Sequence, residues 1–117
     1  MKMKSTMNYN KWEIILVPFP FTNLTTTKKR PALIISPDEC NKNVHVVIAF
    51  ITSKLDLEYR VGDYKIQEWK RSNLPKPSML RMKFATIDKS TIVKNLGTLS
   101  EKDVQEFSKL LIDFFTR

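Results

Sequence analysis

The chain has 117 residues, 42% of them hydrophobic, with seven Phe and only two Gly; this suits one domain with a packed core and excludes both a two-domain chain and a low-complexity or disordered one. Twenty Lys and Arg against twelve Asp and Glu give a formal charge of +8, which calls for a polyanionic partner rather than a neutral one. One Cys and one His exclude an intrachain disulfide and fall short of a zinc-binding set, so no metal and no cofactor is expected.

Residues 1–10 form a polar start, and a flexible N-terminal segment is expected over residues 1–11, followed by a single domain over 12–117. Lys2, Lys4 and Lys11 precede an apolar run, but Glu13, Pro18 and Pro20 interrupt it and no small-residue cleavage site follows. That pattern argues against a signal peptide or a membrane span and for a cytoplasmic protein.

Residues 12–17 (WEIILV) predict a strand bounded by prolines. The loop from Thr22 to Arg30 then carries four Thr, two Lys, one Arg and no acid. It reads either as a solvated hairpin connection or as a grip on phosphate, since it offers hydroxyls and cations and almost nothing to bury. Arg30 stands directly before Pro31, and proline forces its predecessor into extended backbone, so Arg30 projects from a fixed strand end.

Residues 31–36 (PALIIS) predict a second strand, ended by a turn at Pro37 and Asp38. Residues 44–52 (VHVVIAFIT) are the most apolar stretch and predict a central, buried strand. His45 within it reads as a packed or surface histidine, and Cys40 as an inert thiol in a loop or at a strand edge.

Residues 56–67 alternate weakly, with Gly62 marking a bend or bulge, and residues 70–77 with Pro75 and Pro77 predict a loop. In residues 78–84 (SMLRMKF), Met79, Arg81 and Lys83 alternate with Leu80, Met82 and Phe84. A regular strand here buries one set and exposes Arg81 and Lys83 side by side. A turn is expected over 86–90 and a last short strand over 92–99. The helix begins at Ser100, which can cap with Asp103 at the third position, and Val104, Phe107, Leu110, Leu111, Phe114 and Phe115 recur at helical spacing. The sum is a mainly β chain with a C-terminal helix, folded as a small curled barrel.

Several segments in order, WEIILVPFPFTN, KKRPALIIS, VVIAFITS, LPKPSMLRMKFATIDKS and LGTLSEKD, together resemble the PemK/MazF group of toxin–antitoxin toxins, from Trp12 onward. The resemblance implies an SH3-like barrel, a homodimer, and a metal-independent endoribonuclease that cuts single-stranded mRNA through the substrate's own 2′-OH. Such a protein leaves a 2′,3′-cyclic phosphate and a 5′-OH. It implies a cognate antitoxin partner, promoter DNA bound only together with that antitoxin, and no membrane.

Carried across by residue, the resemblance places catalysis on Arg30 and Thr52 and RNA binding on Lys28, Lys29, Ser53, Ser78, Arg81 and Lys83. Thr52 and Ser78 also suit ordinary strand-end capping. Departures from the family pattern concern the proton acceptor. Trp12 and Glu13 stand where many relatives have Gly-Asp, the first loop lacks the glutamate many carry, and Met82 and Lys83 follow Arg81 where some have an aspartate. Three readings stay open: Arg30 and Thr52 act with water, Glu13 substitutes as base, or the chain binds RNA without cutting it. A gyrase poison like the CcdB group, on the same barrel, is the alternative that involves no RNA.

Overall fold

The computed structural model describes residues 8–18 and 28–117. The central part of the Thr-rich loop, like the first seven residues, lies outside these. Six strands form one antiparallel sheet in the order β4-β5-β3-β2-β1-β6. They are β1 (Glu13–Pro18), β2 (Lys29–Ile34), β3 (His45–Thr52), β4 (Tyr64–Lys65), β5 (Met79–Asp88) and β6 (Lys94–Thr98). A single helical turn, α1 (Asp38–Asn41), joins β2 to β3, and the helix α2 (Glu101–Thr116) closes the chain. This is the expected mainly β architecture with a C-terminal helix, curled into a half-barrel.

Both faces of the sheet are covered, which explains why β1, β2 and β3 read as continuous apolar runs rather than alternating ones. One face carries Ile14, Leu33, Ala49, Ile51 and Leu80, packed with Tyr64, Leu99 and Phe107. The opposite face carries Ile15, Val17, Ala32, Ile34, Val46 and Ile48, packed with Ile87 and Tyr9. Neighbouring residues along each strand thus feed different cores, as the two-residue strand period requires. Tyr9, within the expected flexible segment, is buried, and the backbone N–H of Lys11 donates to Asp38 at 2.8 Å.

Helix α2 begins as its sequence predicts. The Ser100 hydroxyl accepts from the Asp103 N–H at 3.2 Å, and Phe107 is fully buried with Val104, Leu110 and Leu111 packed against the first core. Asp103 does more than cap: its carboxylate also accepts from the Tyr64 hydroxyl at 2.5 Å and from the backbone N–H groups of Gln67 and Glu68 at 3.0 and 2.9 Å. One buried acid therefore ties α2 to β4 and to the turn behind it.

Three expectations shift. Strand β5 runs on to Asp88, because Val46, Val47 and Ile48 pair with Ile87, Thr86 and Ala85; the turn expected over 86–90 is a 3₁₀ turn at Lys89–Thr91. Of the weak alternation over 56–67 only Tyr64–Lys65 pairs as a strand, and Gly62 bends the chain with φ of +89°. Lastly, the register between β3 and β5 slips around Phe50: Ala49 faces Phe84 while Ile51 faces Leu80. Three residues of β5 thereby oppose one of β3. This bulge interrupts the regular alternation, so that Lys83 is exposed as expected but Arg81 is half-buried, and it lies next to the cavity described below.

Candidate phosphate-binding cavity

A cavity of about 630 Å³ opens where β2, β3 and β5 meet the loop of residues 53–63. Arg30 reaches it from β2, where its cross-strand partner is Val17. Thr52 comes from the end of β3, and Arg81 and Lys83 come from the β5 bulge. Four of the sequence-predicted residues, separate in the chain, thus share one cavity.

The other four do not line it. Lys28 and Lys29 are exposed at the entry to β2, and Ser53 is exposed one residue beyond Thr52. Ser78 is buried and donates its hydroxyl to the Lys76 carbonyl at 2.8 Å, which is the strand-end role. Thr52 has a local bond too, its hydroxyl oxygen accepting from the Lys54 N–H at 3.1 Å; the hydroxyl proton remains available to a ligand.

Sequence reasoning missed Lys54, Arg60 and Asp63 on the same wall. Among the described residues the cavity is lined by five cations, Arg30, Lys54, Arg60, Arg81 and Lys83, and one acid, Asp63. Apolar surface is supplied by Phe50, Leu57, Val61, Met82 and the α2 residue Phe114. The Lys83 ammonium lies 5.2 Å from the centre of the Phe50 ring, a cation held against an aromatic face.

Asp63 and Arg81 form a buried pair. Arg81 donates from Nε to Oδ1 at 3.0 Å and from Nη2 to Oδ2 at 2.7 Å, and Nη2 also donates to the Glu58 carbonyl at 2.9 Å. The Arg81 side chain is 12% and the Asp63 side chain 1% exposed, so the expected outward-facing Arg81 is instead turned against Asp63. Burial acts to raise the Asp63 carboxyl, but hydrogen bonds from Arg81 and from the Arg60 N–H outweigh it and hold the group below the ordinary carboxylate range. The hydrogen bond to Asp63 in turn raises Arg81 above its usual value, against burial.

Glycine 62 makes this pair reachable. The Asp63 N–H donates to the Arg60 carbonyl at 3.0 Å, closing a tight turn whose third residue needs positive φ. A Cβ on Gly62 would lie 2.4 Å from Met82 Cγ, so the turn also packs directly on the β5 bulge.

No base emerges from the acids that the sequence singled out. Glu13 accepts from the Asn10 N–H at 2.9 Å and sits four residues along β1 from Val17, roughly 13 Å at the strand rise, so its proposed substitution as base is ruled out by position. His45 opens β3 seven residues before Thr52, roughly 23 Å away. Residues 1–7 and 19–27 contain no Asp, Glu or His.

A curled half-barrel carries at its strand ends a cation-walled cavity, with guanidinium forks of the kind that suits phosphate. The chain belongs to the PemK-like, MazF-like toxins of type II toxin–antitoxin systems, whose family model matches residues 10–115. No curated protein matches it by sequence. Among solved structures it resembles MazF from Deinococcus radiodurans, with a TM-score of 0.71 at 15% identity over 95% of this chain and 99% of that one. It also resembles the Mycobacterium tuberculosis toxin MazF-mt6, at 0.69 and 17% over 88% and 95%. A mycobacterial endoribonuclease in complex with its cognate antitoxin is similar at 0.68 and 14%, over 91% of each chain. At these identities the likeness establishes the fold. No helix among the described residues is long and apolar enough to cross a membrane.

Proposed function

We propose that this toxin is an endoribonuclease that cuts single-stranded mRNA by attack of the substrate's own 2′-OH, without a metal ion. The observation that carries this reading is the meeting of Arg30, Thr52 and Arg81 on one cavity. In the step, the 2′-oxygen bonds to phosphorus and the bond to the 5′-oxygen breaks, leaving a 2′,3′-cyclic phosphate and, once the leaving oxygen takes up a proton, a 5′-OH. The charge that develops on the phosphorane oxygens is met by the guanidinium groups of Arg30 and Arg81, and the Thr52 hydroxyl donates beside them.

The proton of the 2′-OH leaves to water. Asp63 is the single described acid on the cavity, and its oxygens are already taken by Arg81 and the Arg60 N–H; a carboxylate held below its ordinary range is also a poor base. The same donor set does not suit a divalent cation, which needs several free oxygens. Catalysis then rests on electrostatic stabilisation, and the missing base is the one observation that favours the second reading, an RNA-binding protein that does not cut. A gyrase target is less well supported, because the five cations on the cavity call for a polyanion.

The reading includes a homodimer in the cytoplasm, neutralised by a cognate antitoxin and binding promoter DNA only with it. Family membership supports the antitoxin, and the similar mycobacterial endoribonuclease is seen with its own. Incubating the purified protein with long single-stranded RNA in EDTA, mapping the ends and repeating with Arg30→Ala, tests the proposal. Discrete cuts with cyclic-phosphate ends, absent in the variant, are expected; RNA bound but whole favours the second reading.

A further inference from the structure

We infer that Asp63 is a positioning residue for phosphate recognition, fixing Arg81 so that its free guanidinium edge meets the same phosphate as Arg30. The inference rests on the phosphodiester-cleaving reading of the cavity and adds to it a residue that no sequence motif marks.

Of the five guanidinium hydrogens, the one on Nε and the two on Nη2 are directed to Asp63 and the Glu58 carbonyl. The Nη1 pair is left for a ligand in the cavity that Arg81 lines. An arginine on an open surface loses rotamer freedom when it grips a phosphate. One already clamped by a fork-to-fork pair loses little, and its remaining donors point one way before the substrate arrives.

The pair's position argues against a purely structural role. Arg81 lies in the β5 bulge, whose residues have no cross-strand partner on β3, so the sheet does not need it there. Buried ion pairs also contribute little net stability compared with apolar packing. The Gly62 turn delivers Asp63 to Arg81, and both side chains line the cavity. Asp63 acts through Arg81 and takes no proton itself.

The test is a double-mutant cycle on cleavage of a short single-stranded RNA with one mapped cut, using the full chain as wild type, Asp63→Asn, Arg81→Ala and the double variant, each checked by urea unfolding. Asp63→Asn is expected to lower kcat about ten- to a hundredfold, the scale of a misplaced catalytic contact, with KM changed by less than about threefold. In the Arg81→Ala background it is expected to change kcat no further. Wild-type kcat in Asp63→Asn, or an equal loss in both backgrounds, overturns the inference. If Asp63→Asn does not fold, Arg81→Lys decides: it keeps the charge but lacks the Nη1 edge, so it should fall as far as Arg81→Ala, and wild-type kcat overturns the inference. If wild type binds the RNA and leaves it whole, the ribonuclease reading fails by itself. The Kd values then decide: weakening by Asp63→Asn only where Arg81 is present supports positioning, and an unchanged Kd overturns it.

Discussion

Asp103 is where the barrel is most exposed to a single change. Its side chain is fully buried, and it accepts from Tyr64 Oη, the Gln67 and Glu68 N–H groups and the Ser100 hydroxyl. Asp103→Ala leaves the Tyr64 hydroxyl and two backbone N–H groups without their acceptor, at about 1–3 kcal/mol each. It also removes half of a capping arrangement worth about 1 kcal/mol. Allowing for partial relaxation, the expected loss is about 4 kcal/mol, a large share of the roughly 5–15 kcal/mol that holds a domain of this size. Urea unfolding followed by Trp12 and Trp69 fluorescence measures it, with Tyr64→Phe as companion, expected at about 1 kcal/mol.

The pH dependence follows the same bonds. Burial pushes the Asp103 carboxyl up, but the Tyr64 hydroxyl, the Gln67 and Glu68 N–H groups and Ser100 together hold it below its ordinary value. A folded pKa below the unfolded one, about 3.9, means that the contribution is complete above the unfolded value and is lost as pH falls through the folded one. Wild-type stability should therefore drop below about pH 4 more steeply than that of Asp103→Ala. A loss under about 1 kcal/mol in Asp103→Ala, with unchanged denaturant slope, would refute the reasoning.

Other changes probe the cavity. Gly62→Ala forces positive φ on a residue with a Cβ and drives that Cβ into Met82; a stability loss of about 1–3 kcal/mol, read by urea unfolding, should accompany reduced RNA cleavage. Arg30→Lys retains charge but not the planar fork, so cleavage should fall about a hundredfold while the melting temperature stays within a few degrees, as kinetics and thermal unfolding will show. Salt offers a test without mutation. If four of the five cavity cations meet phosphates, the log–log slope for single-stranded RNA is about −2.8, or roughly fiftyfold weaker binding between 50 and 200 mM salt; fluorescence anisotropy measures it.

The sheet was legible because its signals were strong and local. The runs leading β1 and β2 have proline boundaries, the β3 run is rich in β-branched residues, and the α2 cap and apolar stripe follow a pattern only a helix satisfies. Arg30 was legible through Pro31, which fixes its backbone whatever the tertiary structure. What escaped depends on contacts distant in sequence. Asp63 finds Arg81 eighteen residues on, and only the Gly62 turn and the bulge around Phe50 bring them together; the glycine was a visible sign of a bend, but not of its destination. Regular alternation misplaced Arg81 for the same reason, since a bulge leaves no period to read. Trp12 is a further case. It adopts φ of +77° just before β1, a backbone shape suited to glycine that a tryptophan in the sequence does not announce.

The central claim, that the substrate's own 2′-OH is the nucleophile while Arg30, Thr52 and Arg81 only stabilise its attack, is tested most directly by one substitution in the RNA. An oligonucleotide with a single 2′-deoxy nucleotide on the 5′ side of the mapped cut is compared with its all-ribose parent, for both cleavage and affinity. The account predicts undiminished binding and no cut at that position. Cleavage of the deoxy substrate at the same bond would contradict it.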